Sequence, residues 1–126
     1  MTVQKSYGIS AVAAKAGVSV HQLRIYAQLG LVTPCKTTGG GHGQYDQACV
    51  ERLRLIHAAV QSGLLLSEMR GFFLALDKGN DRVLQQEQAT LVTRLAERRQ
   101  AVHACQALLS RLADRTAAGR SAGEAP

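Results

Sequence analysis

Ile9-Ser10-Ala11-Val12-Ala13-Ala14-Lys15-Ala16-Gly17-Val18-Ser19-Val20-His21-Gln22-Leu23-Arg24-Ile25-Tyr26 reads as two short amphipathic helices meeting at Gly17. Glycine suits such a turn because it enters positive φ without a Cβ clash. Ser19 is placed to cap the second helix by accepting from its free N–H groups. This spacing predicts a helix-turn-helix whose second helix is pushed outward, with its first residues free to enter a major groove. The expected partner is therefore duplex DNA.

Outward from that core, residues 8–16 form the first helix, burying Ile9, Val12, Ala13 and Ala16, and the second runs from about Val20 to Gln28. Gly30 is placed as its C′ residue. Pro34, Gly39, Gly40, Gly41 and Gly43 then crowd one segment, predicting a two-stranded wing, Val32–Thr37 returning through Gly43–Tyr45. Asp46 is expected to cap a third helix carrying Val50, Leu53, Leu55, Ile56, Ala59 and Val60, which Gly63 breaks. Ser67 is expected to cap a fourth, with Met69, Phe72, Phe73 and Leu76 inward.

Residues 81–115 contain no Gly or Pro and read as one long helix. A heptad seam fits Leu84, Gln88, Leu91, Leu95, Arg98, Val102, Cys105, Leu109 and Leu112. An apolar stripe of that length in so small a chain predicts a partner helix, in an antiparallel coiled coil. Leu84, Leu91, Leu95, Val102, Cys105, Leu109 and Leu112 are its dimerisation residues. The expected organisation is a DNA-binding domain over 1–80, a coiled-coil helix over 81–115 and a disordered Ala/Gly/Ser-rich tail over 116–126. The fold class is mainly α.

The chain has 126 residues and a net charge of +6. Cationic excess favours any polyanion, so its distribution is the informative part. Residues 1–78 hold eight Lys/Arg against four Asp/Glu, and Thr33 to Gln44 contains no acid. No segment reads as an export signal or a membrane span. Cys35, Cys49 and Cys105 are odd in number and scattered, which predicts reduced thiols in the cytoplasm rather than a disulfide framework.

Candidate contacts follow from position. Arg24, one turn into the second helix, suits a phosphate or a guanine edge, and His21 and Gln22 before it can reach base edges. Tyr26 either donates its hydroxyl to a phosphate or packs between helices. Lys36, Thr37, Thr38 and His42 suit phosphate contacts on the wing, because Gly39–Gly41 lets the backbone approach closely. Of Arg52 and Arg54, one is expected to pair with Glu51 or Asp46 and the other to face DNA. Ser19, Tyr45 and Arg52 complete the predicted DNA-binding set.

Cys49 falls in the first turn of the third helix, where the positive dipole end would lower its pKa. Cys105 reads as a small core residue of the seam. No metal or cofactor site is predicted, since the three thiols lie in separate elements. The four histidines join no catalytic dyad or triad, and Gly39-Gly40-Gly41 lacks the Lys-Ser/Thr of a P-loop.

Gly17-Val18-Ser19-Val20, Leu23-Arg24, Tyr26, Leu29-Gly30-Leu31, Thr38-Gly39-Gly40, Tyr45-Asp46 and Glu51-Arg52-Leu53 together resemble the MerR family of transcription regulators. The resemblance covers residues 8–78 and extends along the long helix to about 112. It implies a MerR-type winged helix-turn-helix. Two positions depart from the family pattern: Gly43 replaces the usual wing arginine, and Ala27 follows Tyr26 where glutamate is usual. Family mercury sensors hold Hg(II) with three thiolates, one at the start of the long helix and two after it. Here Asn80 and Asp81 occupy the first position and no cysteine follows Cys105.

The similarity thus points to the branch of small secondary regulators of mercury-resistance (mer) operons, which oppose MerR-dependent activation. The implied partners are mer operator DNA, a second copy of the chain, and MerR. Two other readings stay open: a metal- or redox-responsive activator using the cysteines, and a co-regulator that mainly contacts DNA-bound MerR.

Overall fold

A computed structural model describes residues 6–37 and 43–123, with only the backbone given for 36, 37 and 120–123. Five helices and a two-stranded ribbon follow in the order α1 (Ile9–Ala16), α2 (Val20–Gln28), β1 (Lys36–Thr37), β2 (Gly43–Gln44), α3 (Gln47–Gln61), α4 (Leu66–Lys78) and α5 (Asp81–Gly123).

Helix α1 stops at Gly17, whose φ of 76° and N–H bonds to Ala13 and Ala14 form a left-handed cap. Two residues later Ser19 opens α2 with a full capping box. Its hydroxyl accepts from Gln22 N–H at 3.0 Å, and the Gln22 carboxamide oxygen accepts from Ser19 N–H at 2.9 Å. The helix-turn-helix angle is therefore set within Gly17-Val18-Ser19. Val12, Ala13, Ala16, Val18, Leu23 and Tyr26 face inward from this unit.

The wing pairs antiparallel, Lys36 with Gln44 and Thr37 with Gly43. An isolated bridge joins Tyr7 and Tyr45 by two backbone bonds of 2.7 and 2.8 Å. Asp46 caps α3 as expected, accepting from Cys49 N–H at 3.0 Å. Cys49, Val50, Leu53, Ile56 and Ala59 form the buried face of α3. Leu55 and Val60, expected inside, lie on its open side. The start of α4 also differs from expectation. Leu65, not Ser67, is the N-cap position, and the Glu68 side chain accepts from Leu65 N–H at 3.0 Å. The third residue of a helix can satisfy the entering N–H as well as a hydroxyl cap can. Met69 and Phe73 of α4 are buried, Phe72 is half-buried and Leu76 is exposed.

Helix α5 has 43 residues, and at 1.5 Å per residue it is roughly 65 Å long. Asn80 caps it, accepting from Val83 N–H at 3.2 Å. The helix does not end at Arg115. It continues through the stretch expected to be a disordered tail as far as Gly123, because Ala117, Ala118 and Ala122 favour helix and Pro126 lies beyond them. Its first half packs along α4, where Leu91 joins the core and Leu95 lies against it. Beyond Arg99 every residue through Gly119 is exposed.

Candidate nucleic-acid interface

Helix α2 divides cleanly. Leu23 and Tyr26 are buried, while His21, Gln22, Arg24, Ile25 and Gln28 face outward. A groove-entering helix needs this division, with one stripe anchored and the other free to read. His21 and Arg24 are the exposed polar side chains of its first turns without a bond to another described residue. Gln22 and Ser19 lend their side-chain oxygens to the cap. Their first role is thus to hold the helix start, and the Gln22 amide NH₂ remains for a base edge.

Arg24 projects into a cleft of about 570 Å³ shared with Gly8, Ser10 and Ala11 of the α1 start and Gly43, Gln44 and Tyr45 of the wing. The Gly8 N-cap offers no side-chain acceptor and no acid lies in the first turn of α1. Several N–H groups there have no intrahelical partner and carry the positive dipole end. A guanidinium and a bare helix start around one cleft form a phosphate-compatible surface. The uncapped start of α1 did not stand out in the sequence. Its only signal was Gly8 where a Ser, Thr or Asp cap would normally stand.

Three of the predicted contacts are placed otherwise. The Tyr26 and Tyr45 rings are buried among the core residues, because their positions fall on the inner faces of α2 and the wing base. No described buried side-chain nitrogen or oxygen lacks a partner, so each hydroxyl is solvated or bonded. Arg52 turns inward rather than toward DNA. It pairs with Asp77, donates to the Leu31 carbonyl at 3.2 Å and lies 5.0 Å from the centre of the Phe73 ring. It thereby ties the exit of α2 and the end of α4 to α3. Arg54 was expected to pair with a nearby acid or face DNA. Instead it donates to the Lys15 carbonyl at 3.2 Å, closing the last turn of α1.

On the wing, Lys36 and Thr37 lie in β1, while Thr38 and His42 fall outside the described residues. Gly43 stands where the family pattern has arginine, and it packs closely on the segment that leads into β1. A Cβ on Gly43 would sit 3.0 Å from Pro34 Cβ and 3.3 Å from Pro34 Cγ. Glycine at 43 and proline at 34 are thus one packing unit.

The thiols also correct an expectation. Cys49 is buried, and burial pushes its pKa up to about 11, with Asp46 adding to the rise and Arg52 opposing it. Desolvation overrides the helix dipole because the thiolate would have to form inside the core. Cys35 and Cys105 are exposed. Cys35 Sγ donates to the Gln44 carbonyl at 3.2 Å across the wing. Cys105 is not a core residue of the single chain. Among the described residues no cluster of three His, Cys, Asp or Glu side chains could hold a metal ion, and no helix is long and apolar enough to cross a membrane.

The capped helix pair, the outward Arg24 and the two-stranded wing define a winged helix-turn-helix DNA-binding protein. The pattern described as MerR HTH family regulatory protein matches residues 7–76, and the chain belongs to that family, one of transcription regulators rather than enzymes.

The chain is 38% identical over 96 residues to the HTH-type transcriptional regulator MerD of Shigella flexneri, covering 76% of this chain and 79% of that one. It is 35% identical over 97 residues to MerD of Acinetobacter calcoaceticus, covering 77% and 80%. In fold it is similar to the crystal structure of HiNmlR, a MerR family regulator lacking the sensor domain, bound to promoter DNA. That match has a TM-score of 0.66 and 23% identity, and covers 87% of this chain and 80% of that one.

Proposed function

We propose that the chain is a MerD-like co-regulator that binds a mer operator and opposes MerR-dependent activation there. The observation that carries this reading is its similarity to MerD, at 38% identity over 76% of this chain and 79% of the relative. The exposed His21 and Arg24, the cleft at the start of α1 and the cationic wing supply the means of DNA contact.

In the proposed mechanism α2 enters the major groove and Arg24 contacts a guanine edge or a phosphate. His21 and the free amide of Gln22 reach neighbouring bases. Lys36, Thr37, Thr38 and His42 track the backbone beside it, while Ser19 and Arg52 keep the elements in register. The chain acts as a homodimer, and MerR is the expected companion at the operator. Asn80 stands where family sensors place a first thiolate and instead caps α5. That favours a regulator without its own Hg(II) site over a metal-responsive activator.

Footprinting on a mer operator, with and without MerR and Hg(II), tests the reading. Protection by the purified chain, with lower MerR-dependent transcription in its presence, is expected. Absence of protection alone but protection with MerR present would favour the co-regulator that acts through MerR.

A further inference from the structure

We infer that Ile25 is a specificity-determining residue of α2 and reads the C5-methyl group of one thymine in each half-site of the bound duplex. The inference rests on the DNA-binding reading above and adds a contact that charge and hydrogen bonding do not supply.

Ile25 is 37% exposed. A lone exposed isoleucine is ordinary on a protein surface, so its position carries the argument. Successive residues of an α-helix turn by about 100°. Leu23 and Tyr26 are the buried residues of α2. The line farthest from them runs through His21 and Gln28, and Arg24 and Ile25 flank it on either side. All four are exposed. Arg24 leans to the cleft formed by the α1 start and the wing. Ile25 stands across the line from it, away from that phosphate-compatible surface. Leu29, the other exposed large apolar residue of this segment, lines a separate cleft with Leu31, Phe73 and Leu74. Ile25 is thus the large apolar side chain on the face that meets the groove. Helix propensity does not account for it, since isoleucine is a poorer helix former than leucine, arginine or glutamine.

An aliphatic side chain neither donates nor accepts a hydrogen bond. Set against a phosphate or a polar base edge, it would strip water and return nothing. The major groove displays one apolar group, the C5-methyl of thymine. Burying a methyl-sized group is worth about fourfold in affinity. Ile25 would therefore favour a T·A pair at its position, while the polar side chains of His21 and Gln28 border the contact on the same face.

Deoxyuridine lacks only that methyl and keeps the pairing edge of thymidine, so it isolates the contact. The purified full chain first selects duplexes from a random double-stranded library, which frees the test from the mer assignment. Each thymine of a selected duplex is then replaced in turn by deoxyuridine. Fluorescence anisotropy gives the affinity of the unaltered protein and of Ile25→Ala for each. One position in each half-site is expected at which deoxyuridine weakens the unaltered protein about fourfold and leaves Ile25→Ala unaffected. Ile25→Val should keep part of the discrimination. The melting temperature and the salt slope of binding should not change, because Ile25 is exposed and holds no phosphate. Absence of any uracil-sensitive position, or equal sensitivity in Ile25→Ala, would overturn the contact. A library yielding no bound duplex would overturn it together with DNA binding. Selected duplexes unlike a mer operator would remove the mer assignment alone, since the thymine contact is read on those duplexes all the same.

Discussion

Arg98 of α5 donates to both oxygens of Glu68 in α4, at 3.0 and 3.3 Å, and Arg94 reaches the same carboxylate at 2.9 Å. One Glu68 oxygen also accepts from Leu65 N–H, so a single carboxylate starts α4 and clamps it to α5. The clamp lies at the junction between the DNA-binding domain and the long helix. Among the described residues it is the one place where an ion pair links the two.

The Leu65 N–H holds the Glu68 carboxyl below the usual carboxylate range. Burial opposes that, and Arg98 and Arg94 lower it further. Because the folded value is depressed, the contribution is present above the unfolded carboxylate pKa of about 4.3. It is lost as pH falls through the folded value. Glu68→Gln is therefore expected to lower the melting temperature at pH 7 and to flatten the acid limb of stability below pH 5. An acid limb identical to that of the unaltered protein would remove the clamp. For the same reason Arg98→Leu should loosen the α4–α5 junction.

Arg24→Ala is expected to weaken operator binding by about 1–3 kcal/mol and to relax the preference at one base pair, if the guanidinium reads guanine bidentately. Lys36→Ala should reduce affinity on all sequences alike and lower the slope of log K against log salt by about one. Fluorescence anisotropy over a salt series separates the two. Unchanged binding in both variants would mean that another face meets the duplex.

Gly43→Arg restores the family's wing arginine but forces a Cβ to within 3.0 Å of Pro34. The single variant should therefore gain little DNA affinity, whereas Gly43→Arg with Pro34→Ala should gain more. A single variant that binds as tightly as the double would show that the wing yields without help from position 34.

Arg52→Ala breaks the links to Asp77, the Leu31 carbonyl and the Phe73 ring. Stability is expected to fall by about 1–3 kcal/mol, as for hydrogen bonds to a charged group removed from a half-buried site. The salt slope of DNA binding should stay as it was, since no phosphate contact is lost. A slope reduced by one with unchanged stability would return Arg52 to the DNA surface.

Cys49 has its pKa raised to about 11 by burial. Because the folded value lies above the unfolded one of about 8.5, its contribution to stability is complete below that pH. It declines as pH rises toward 11. A thiol reagent at pH 7.5 should titrate Cys35 and Cys105 rapidly and Cys49 only on unfolding. Three equally fast thiols would contradict the burial. Among the serine replacements, Cys49→Ser should carry the packing cost and Cys105→Ser very little.

Gly17-Val18-Ser19, Asp46 and the periodicity of α1 to α4 act through neighbours a few residues apart, and those elements could be read directly along the chain. Local rules of this kind also singled out the exposed Arg24, since its place on α2 follows from the helical period. The partners of Arg52, Arg54, Arg98 and Cys49 lie 21 to 39 positions away for the hydrogen-bonded arginines, or in the surrounding core for the thiol. Nothing in local spacing reports such distances. Arg52 looked like a DNA contact because a basic residue on a helix near a wing has no local reason to turn inward. Asp77 and Phe73 provide that reason only once α4 has folded back. The α5 seam was legible as a stripe, but a stripe does not say which part the chain covers itself. Packing of α4 on Leu91 and Glu68 on Arg98 decided that, leaving Val92 to Leu112 open because apolar area buried within the chain is no longer free to bury another helix.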